Sequence, residues 1–258
     1  MARVLLPLPD RDFDVTEVAV PWRLLTLAGH EIVFCTEAGG AAPSADPRLL
    51  EGVIFGRLGA RPQACAFYRE LERDEAFRKP LSWNDVDPSA YDGLLLTGGH
   101  APGMRQYLGA KRLHEQVAAF FALGRPVGAI CHGVLVAARS RDPSTGCSVI
   151  YERTTTCLAK YQEFFAYLLT FLKLGRYYRT YRAYVQDEVK ASLRKPARQF
   201  KRGPLTLTSR DSETDSSPAF VIVDGSYVSA RWPGDAYTFA RTFQDLLEVK
   251  ASAGPTDS

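Results

Sequence analysis

The chain has 258 residues, a length at the upper end of what one α/β domain uses, so it is read as a single domain over 1–258 that carries an insertion. With 46% hydrophobic and 24% charged residues it has the balance of a globular protein with a sizeable core, and a net charge of +3 is too small to call for a polyanionic partner. Five cysteines, an odd number without a C-x-x-C pair, exclude a disulfide framework or a zinc ribbon, and the most apolar stretch, 164–174, falls well short of the ~18 residues of a membrane span.

Met1-Ala2-Arg3 leads straight into Val4-Leu5-Leu6, the start of a strand over 3–8 and not of a cleavable signal, which points to a cytoplasmic protein with no membrane contact. A charged loop follows at 10–14. Val18, Val20, Leu24 and Leu25 then recur at helical spacing between 15 and 27, and Gly29 stops that helix. Residues 31–36, β-branched and aromatic, form a second strand. The stretch 38–47 is loop, 65–77 reads as one helix, and 80–88 is a polar connection. Gly93-Leu94-Leu95-Leu96 is the continuous apolar run of a strand covered on both faces, and it ends in Thr97-Gly98-Gly99-His100. A helix over 113–123 stops at Gly124, and 126–130 is a further strand.

Residues 161–202 break this rhythm. An aromatic-aliphatic helix (Phe164, Phe165, Leu168, Leu169, Phe171, Leu172) is followed by Tyr177, Tyr178, Tyr181 and Tyr184 interleaved with Arg176, Arg179 and Arg182. Such a stretch can stack bases and neutralise phosphates. The commoner use is an amphipathic pair with its aromatics inward and its arginines reaching water, serving as a lid over a pocket or a homodimer contact, so nucleic acid is not the expected partner. Beyond it, 219–223 and 226–230 flank Asp224-Gly225, a two-residue hairpin signal. A closing helix spans 235–249, and the last residues are expected to fray. Strands alternating with helices predict an α/β fold, flavodoxin-like and doubly wound. Its mostly parallel sheet carries a helical insertion at about 161–202 and a C-terminal hairpin, and sites in such sheets lie beyond the carboxyl ends of the strands.

Two turns fall there, Gly98-Gly99 and the one at Cys131. The run Pro126-Val127-Gly128-Ala129-Ile130 stops at Cys131, with Ala129 and Gly133 two places either side. Small flanks let a strand and a following helix approach closely and expose the side chain at the apex, the pattern of a nucleophile elbow. The helix N-terminus and an imidazolium at His132 would both favour thiolate. Lowering the thiol by two pKa units from about 8.5 needs roughly 2.7 kcal/mol. Cys35, Cys65, Cys147 and Cys157 are read as packing residues. No His/Cys/Asp spacing matches a metal site, so neither a metal nor another cofactor is expected.

Phe13-Asp14-Val15-Thr16-Glu17, Thr97-Gly98-Gly99-His100 and Ala129-Ile130-Cys131-His132-Gly133, in that order, resemble the ThiJ/PfpI superfamily, which shares its elbow with class I glutamine amidotransferases. The resemblance implies Cys131 as nucleophile and Glu17 as the acid whose carboxyl group contacts the sulfur. It implies the N–H groups of Gly99 and His132 as an oxyanion hole, beside Gly98 and with His100 lining the pocket; each donor of such a hole is worth on the order of 3 kcal/mol. Likeness to the glyoxalase III and heat-shock chaperone branches implies a third triad member about thirty residues after the cysteine. Glu163, thirty-two residues on (163 − 131 = 32) and after Arg153-Thr154-Thr155-Thr156, fits, with Asp187 and Glu188 as alternatives.

Three functions are compatible with these residues. The first is a glyoxalase III-like enzyme that converts a small carbonyl substrate, a 2-oxoaldehyde, to a 2-hydroxy acid. The second is a cysteine hydrolase or amidase working through a thioester. The third is a stress-response protein without catalysis, acting as a redox sensor through Cys131 or as a holdase through the apolar insertion.

Overall fold

The computed structural model describes residues 1–53 and 58–252; the tail expected to fray lies largely outside them. In chain order the elements are β1 (Arg3–Pro7), β2 (Arg11–Phe13), α1 (Val15–Leu27), β3 (Glu31–Thr36), β4 (Ser44–Ala45), α2 (Pro47–Glu51), α3 (Pro62–Leu71), α4 (Glu75–Arg78), β5 (Leu81–Ser82) and β6 (Gly93–Leu96). There follow α5 (Met104–Leu108), α6 (Lys111–Ala122), β7 (Val127–Ile130), α7 (Gly133–Arg139), α8 (Lys160–Leu174), α9 (Val185–Ala191), α10 (Pro196–Gln199), β8 (Val221–Asp224), β9 (Tyr227–Ala230) and α11 (Ala236–Ser252).

Seven strands form the central sheet in the order β5-β3-β1-β6-β7-β9-β8, parallel throughout except for the β8–β9 hairpin. This is the doubly wound, flavodoxin-like arrangement the strand–helix rhythm implies. Chain order reverses at β1, whose neighbours β3 and β6 lie on opposite sides, so the crevice beyond β1, β6 and β7 is the switch point where such sheets bind ligands. Central strands β6 and β7 are buried along their whole length, as their unbroken apolar runs require. Helices α1 and α11 pack together on the sheet, with Phe239 and Phe243 against Gly93 and Gly128, where a β-carbon would collide with those rings.

Three details differ from the sequence reading. The helix read over 65–77 is two, because the Asp74 side chain accepts from Phe77 N (3.1 Å) and starts α4 afresh. The loops at 10–14 and 38–47 contain β2 and β4, which pair with one another in a small parallel sheet. In α8 the apolar side chains face outward. Phe164, Phe165, Leu168, Leu169, Phe171 and Leu172 are all exposed, whereas Tyr178 further on is buried. Among the described residues no helix is long and apolar enough to cross a membrane.

Candidate active site

Cys131 follows β7 directly and has φ of +58°, a left-handed conformation that costs a residue with a β-carbon on the order of 1–2 kcal/mol. The surroundings hold it there. Its N–H donates to Ala230 O (3.1 Å), extending the β7–β9 ladder by one residue, and α7 begins at Gly133. A β-carbon at Gly133 would overlap the Leu96 carbonyl group, so only glycine lets the helix start this close to β6. Gly98 has the same role across the crevice: its β-carbon would lie 2.6 Å from His132 N and 3.1 Å from Cys131 Cβ.

Asp14 caps α1 by accepting from Thr16 N (2.8 Å) and Glu17 N (3.1 Å), which turns Glu17 inward at the first turn. Glu17 is fully buried. Its Oε2 accepts from Gly98 N (2.7 Å), and Oε1 has no partner satisfying strict hydrogen-bond geometry among the described residues. His132 Nδ1 lies 3.5 Å from Cys131 Sγ, and the His100 ring stands edge-on to it with centroids 4.6 Å apart. The N–H groups of Gly99 and His132 donate to no protein oxygen among the described residues.

Burial dominates the electrostatics. It pushes the Glu17 carboxyl well above the usual range, helped by the neighbouring Asp14 charge, and pushes Asp14 itself up to about 6. It pulls His100 down to about 4 and His132 well below its ordinary value, with the positive neighbours His100, Arg139 and Arg179 adding to the effect at His132. The Cys131 thiol is driven well up, first by burial and then by the Glu17 and Asp14 charges, while the His132 N–H works the other way. These directions run against the resting thiolate expected from the sequence. The sulfur has no exposure, and the imidazole beside it is neutral, so neither supplies the stabilisation that the helix terminus was to share.

The structure does not bring Glu163 to His132. Its Oε1 accepts from Arg179 Nη1 (2.6 Å) and its Oε2 from Val185 N (2.9 Å). The alternatives are engaged elsewhere too, Asp187 with Lys160 (2.7 Å) and Glu188 with Arg139 (2.6 Å). The physical reason is that α8 presents Glu163 to residues 179–185, where a guanidinium and a free helix-start N–H satisfy both oxygens. In the triad only Cys131 and His132 meet. Glu163 ties down the segment that covers them. In that segment Tyr178 donates to Asp46 Oδ2 (2.9 Å), Thr180 Oγ1 to His100 O (2.7 Å), and Arg105 Nε to Thr180 O (2.8 Å).

Two features escaped the sequence reading. Arg210 lies near Asp14 and Glu17 and stacks over Trp232 at 5.0 Å, lining with Thr16 and Arg61 a cavity of about 30 Å³. No spacing pattern marks it. The other is His100, Cys131 and His132 as a cluster, in which the Cys131 sulfur and one ring nitrogen of each histidine lie within 4.8 Å of one another. Thirty-one residues separate the two turns (131 − 100 = 31), and metal-ligand spacing rules look for closer pairs.

The turn at Cys131, on the parallel sheet beneath it, places the chain among α/β proteins built around a nucleophile elbow. Its family is narrower. The chain belongs to the family described as ThiJ/PfpI family-like, whose pattern it matches over residues 8–204. It is 25% identical over 246 residues to deglycase PfpI of Pyrococcus furiosus, covering 95% of this chain and 99% of that protein. An uncharacterised protein of Schizosaccharomyces pombe is 28% identical over 123 residues, and that match spans 47% of this chain and 46% of the relative. Among solved structures, glyoxalase III of Candida albicans superposes with a TM-score of 0.66 at 20% identity, covering 95% of this chain and 97% of that one, which shows a shared fold.

Proposed function

We propose that this protein is a cysteine-dependent enzyme acting on small reactive carbonyl compounds, with a glyoxalase III-like conversion of a 2-oxoaldehyde such as methylglyoxal to a 2-hydroxy acid as its reaction. The observation that carries the proposal is the strained Cys131 with His132 Nδ1 3.5 Å from its sulfur and Glu17 beneath. The names of the relatives, deglycase and glyoxalase III, support the carbonyl class.

In the proposed reaction Cys131 Sγ passes its proton to the neighbouring His132 imidazole and, as thiolate, bonds to the aldehyde carbon, and the imidazolium returns that proton to the carbonyl oxygen, giving a hemithioacetal. The N–H groups of Gly99 and His132 stabilise charge on that oxygen. A neutral His132 imidazole takes the proton from the former aldehyde carbon and returns a proton to the adjacent carbon, while the hydroxyl proton on the former aldehyde oxygen passes to the ketone oxygen. The ketone becomes an alcohol and the first carbon a thioester. Water then cleaves the carbon–sulfur bond, releasing the 2-hydroxy acid and restoring the thiol. A carboxylate on the imidazole is not needed for this sequence, because burial already keeps His132 in its basic form.

Cys131 has no exposure, so substrate entry requires the segment around Tyr178 and Arg179 to move. Glu163 and Asp46 are the anchors it must leave or flex around. The test is loss of methylglyoxal and appearance of lactate with purified protein, abolished in Cys131→Ala. Normal turnover by that variant would end the proposal, and ammonia release from glutamine would favour the amidase reading instead.

A further inference from the structure

We propose that His100, Cys131 and His132 form a binding site for a thiophilic divalent cation of the zinc type. The site shares its sulfur with the nucleophile of the proposed reaction, but its binding test does not depend on that reaction. Two turns of the sheet supply the ligands, His100 from the end of the β6 loop and Cys131-His132 from the elbow.

The geometry is close to what such an ion requires. Bonds of about 2.3 Å to sulfur and about 2.05 Å to imidazole nitrogen, at the tetrahedral angle, put the two ligand atoms about 3.6 Å apart. Cys131 Sγ and His132 Nδ1 are 3.5 Å apart. No pair of ligand atoms in the cluster exceeds 4.8 Å, so ring movements on the order of 1 Å close the remaining edges. Independently, His100 Nε2 is buried and has no hydrogen-bond partner among the described residues. An unpaired buried ring nitrogen is costly, and a cation bound through it would give it a partner. The His100 backbone is fixed for the purpose, since its carbonyl accepts from Thr180 Oγ1 at 2.7 Å.

One thiol and two imidazoles are a soft and borderline donor set, which selects zinc, copper or cobalt over magnesium or calcium. On binding, the sulfur–hydrogen bond is replaced by a sulfur–metal bond and one proton leaves for solvent. Three protein ligands leave a fourth position for water. An ion so placed occupies the lone pair that would attack a carbonyl, so the cation acts as a reversible off-switch for Cys131.

The test adds Co²⁺ to purified full-length protein, kept reduced and free of chelator, and then displaces it with Zn²⁺. The expected result is one Co²⁺ per chain with thiolate-to-cobalt charge-transfer absorption and the intensified visible bands of a four-coordinate site. Cys131→Ser removes the charge-transfer band, Cys147→Ser leaves it, and His100→Gln weakens Co²⁺ and Zn²⁺ binding at least about tenfold, the lower edge of what losing even an outer-shell partner costs. Circular dichroism checks that each variant is folded, and His100→Asn replaces His100→Gln if that one is not. No charge-transfer band in the wild type, a band that survives Cys131→Ser, or unchanged affinity in the folded His100 variant would each overturn the site. Methylglyoxal turnover is measured separately on metal-free protein: turnover without Co²⁺ binding overturns the metal site alone, and Co²⁺ binding without turnover overturns the carbonyl reaction alone.

Discussion

Cys131 combines a strained backbone with a thiol whose pKa burial pushes up, and both follow from its position at the apex of a turn under a closed cover. Attack on a carbonyl needs thiolate, so the sign of the pH dependence is set. A thiol raised by burial gains reactivity as pH rises through its own high pKa, and the curve should still be climbing at about pH 9, above the unperturbed thiol range. His132 is pulled the opposite way and stays neutral above its lowered value, so no limb is expected near the ordinary histidine range. Alkylation of Cys131 by iodoacetamide, followed by peptide mass spectrometry across pH, measures this directly. A rate already level at pH 7 would show a resting thiolate.

At the scale of elements, the elbow and the cover over it make separate predictions. The strand-to-helix turn depends on Gly133, whose added β-carbon would enter the Leu96 carbonyl region, so Gly133→Ala should force β6 and α7 apart. A loss of about 1–3 kcal/mol in denaturant unfolding is expected, typical of overpacking. The cover depends on Glu163, which bonds both Arg179 and the start of α9. Hydrogen bonds to charged groups contribute about 1.5–3 kcal/mol, so Glu163→Ala should raise the Cys131 alkylation rate at fixed pH by about tenfold or more. An anchoring role and a triad role part here. Loss of turnover with unchanged alkylation would return Glu163 to the imidazole.

At the scale of the whole molecule, the C-terminal side is closed by a buried ion pair four residues apart in the sequence. Arg231 and Asp235 have no exposure and are joined by three hydrogen bonds, two from the guanidinium (2.8 and 2.9 Å) and one from the Arg231 N–H (3.1 Å), while Arg231 also reaches Pro204 O and Pro218 O. The long loop between α10 and β8 is thereby fastened at the end of β9, next to the elbow strand. Removing one partner strands a buried charge, so Arg231→Met should cost about 3–5 kcal/mol, read as a fall in denaturation midpoint. The variant with both residues made apolar, Arg231→Met with Asp235→Leu, should recover much of that loss.

How much was legible in the chain depends on the range over which each interaction acts. The apolar runs of β6 and β7, the Asp224-Gly225 hairpin and the small residues around Cys131 are local, because strand burial and turn conformation are written in neighbouring residues. They were enough for the sheet, the elbow and the Cys131–His132 pair. The partners of Glu163 were not local. The family resemblance assigned it to the triad, but which charge a buried carboxylate meets is decided by how α8 and the segment behind it pack, and Arg179 won over His132. The upward push on the Cys131 thiol and the gathering of His100 with Cys131 and His132 also depend on burial and on two distant loops meeting over one sheet. Local sequence carries conformational preference; solvent exclusion and long-range charge pairing exist only once the chain has closed on itself.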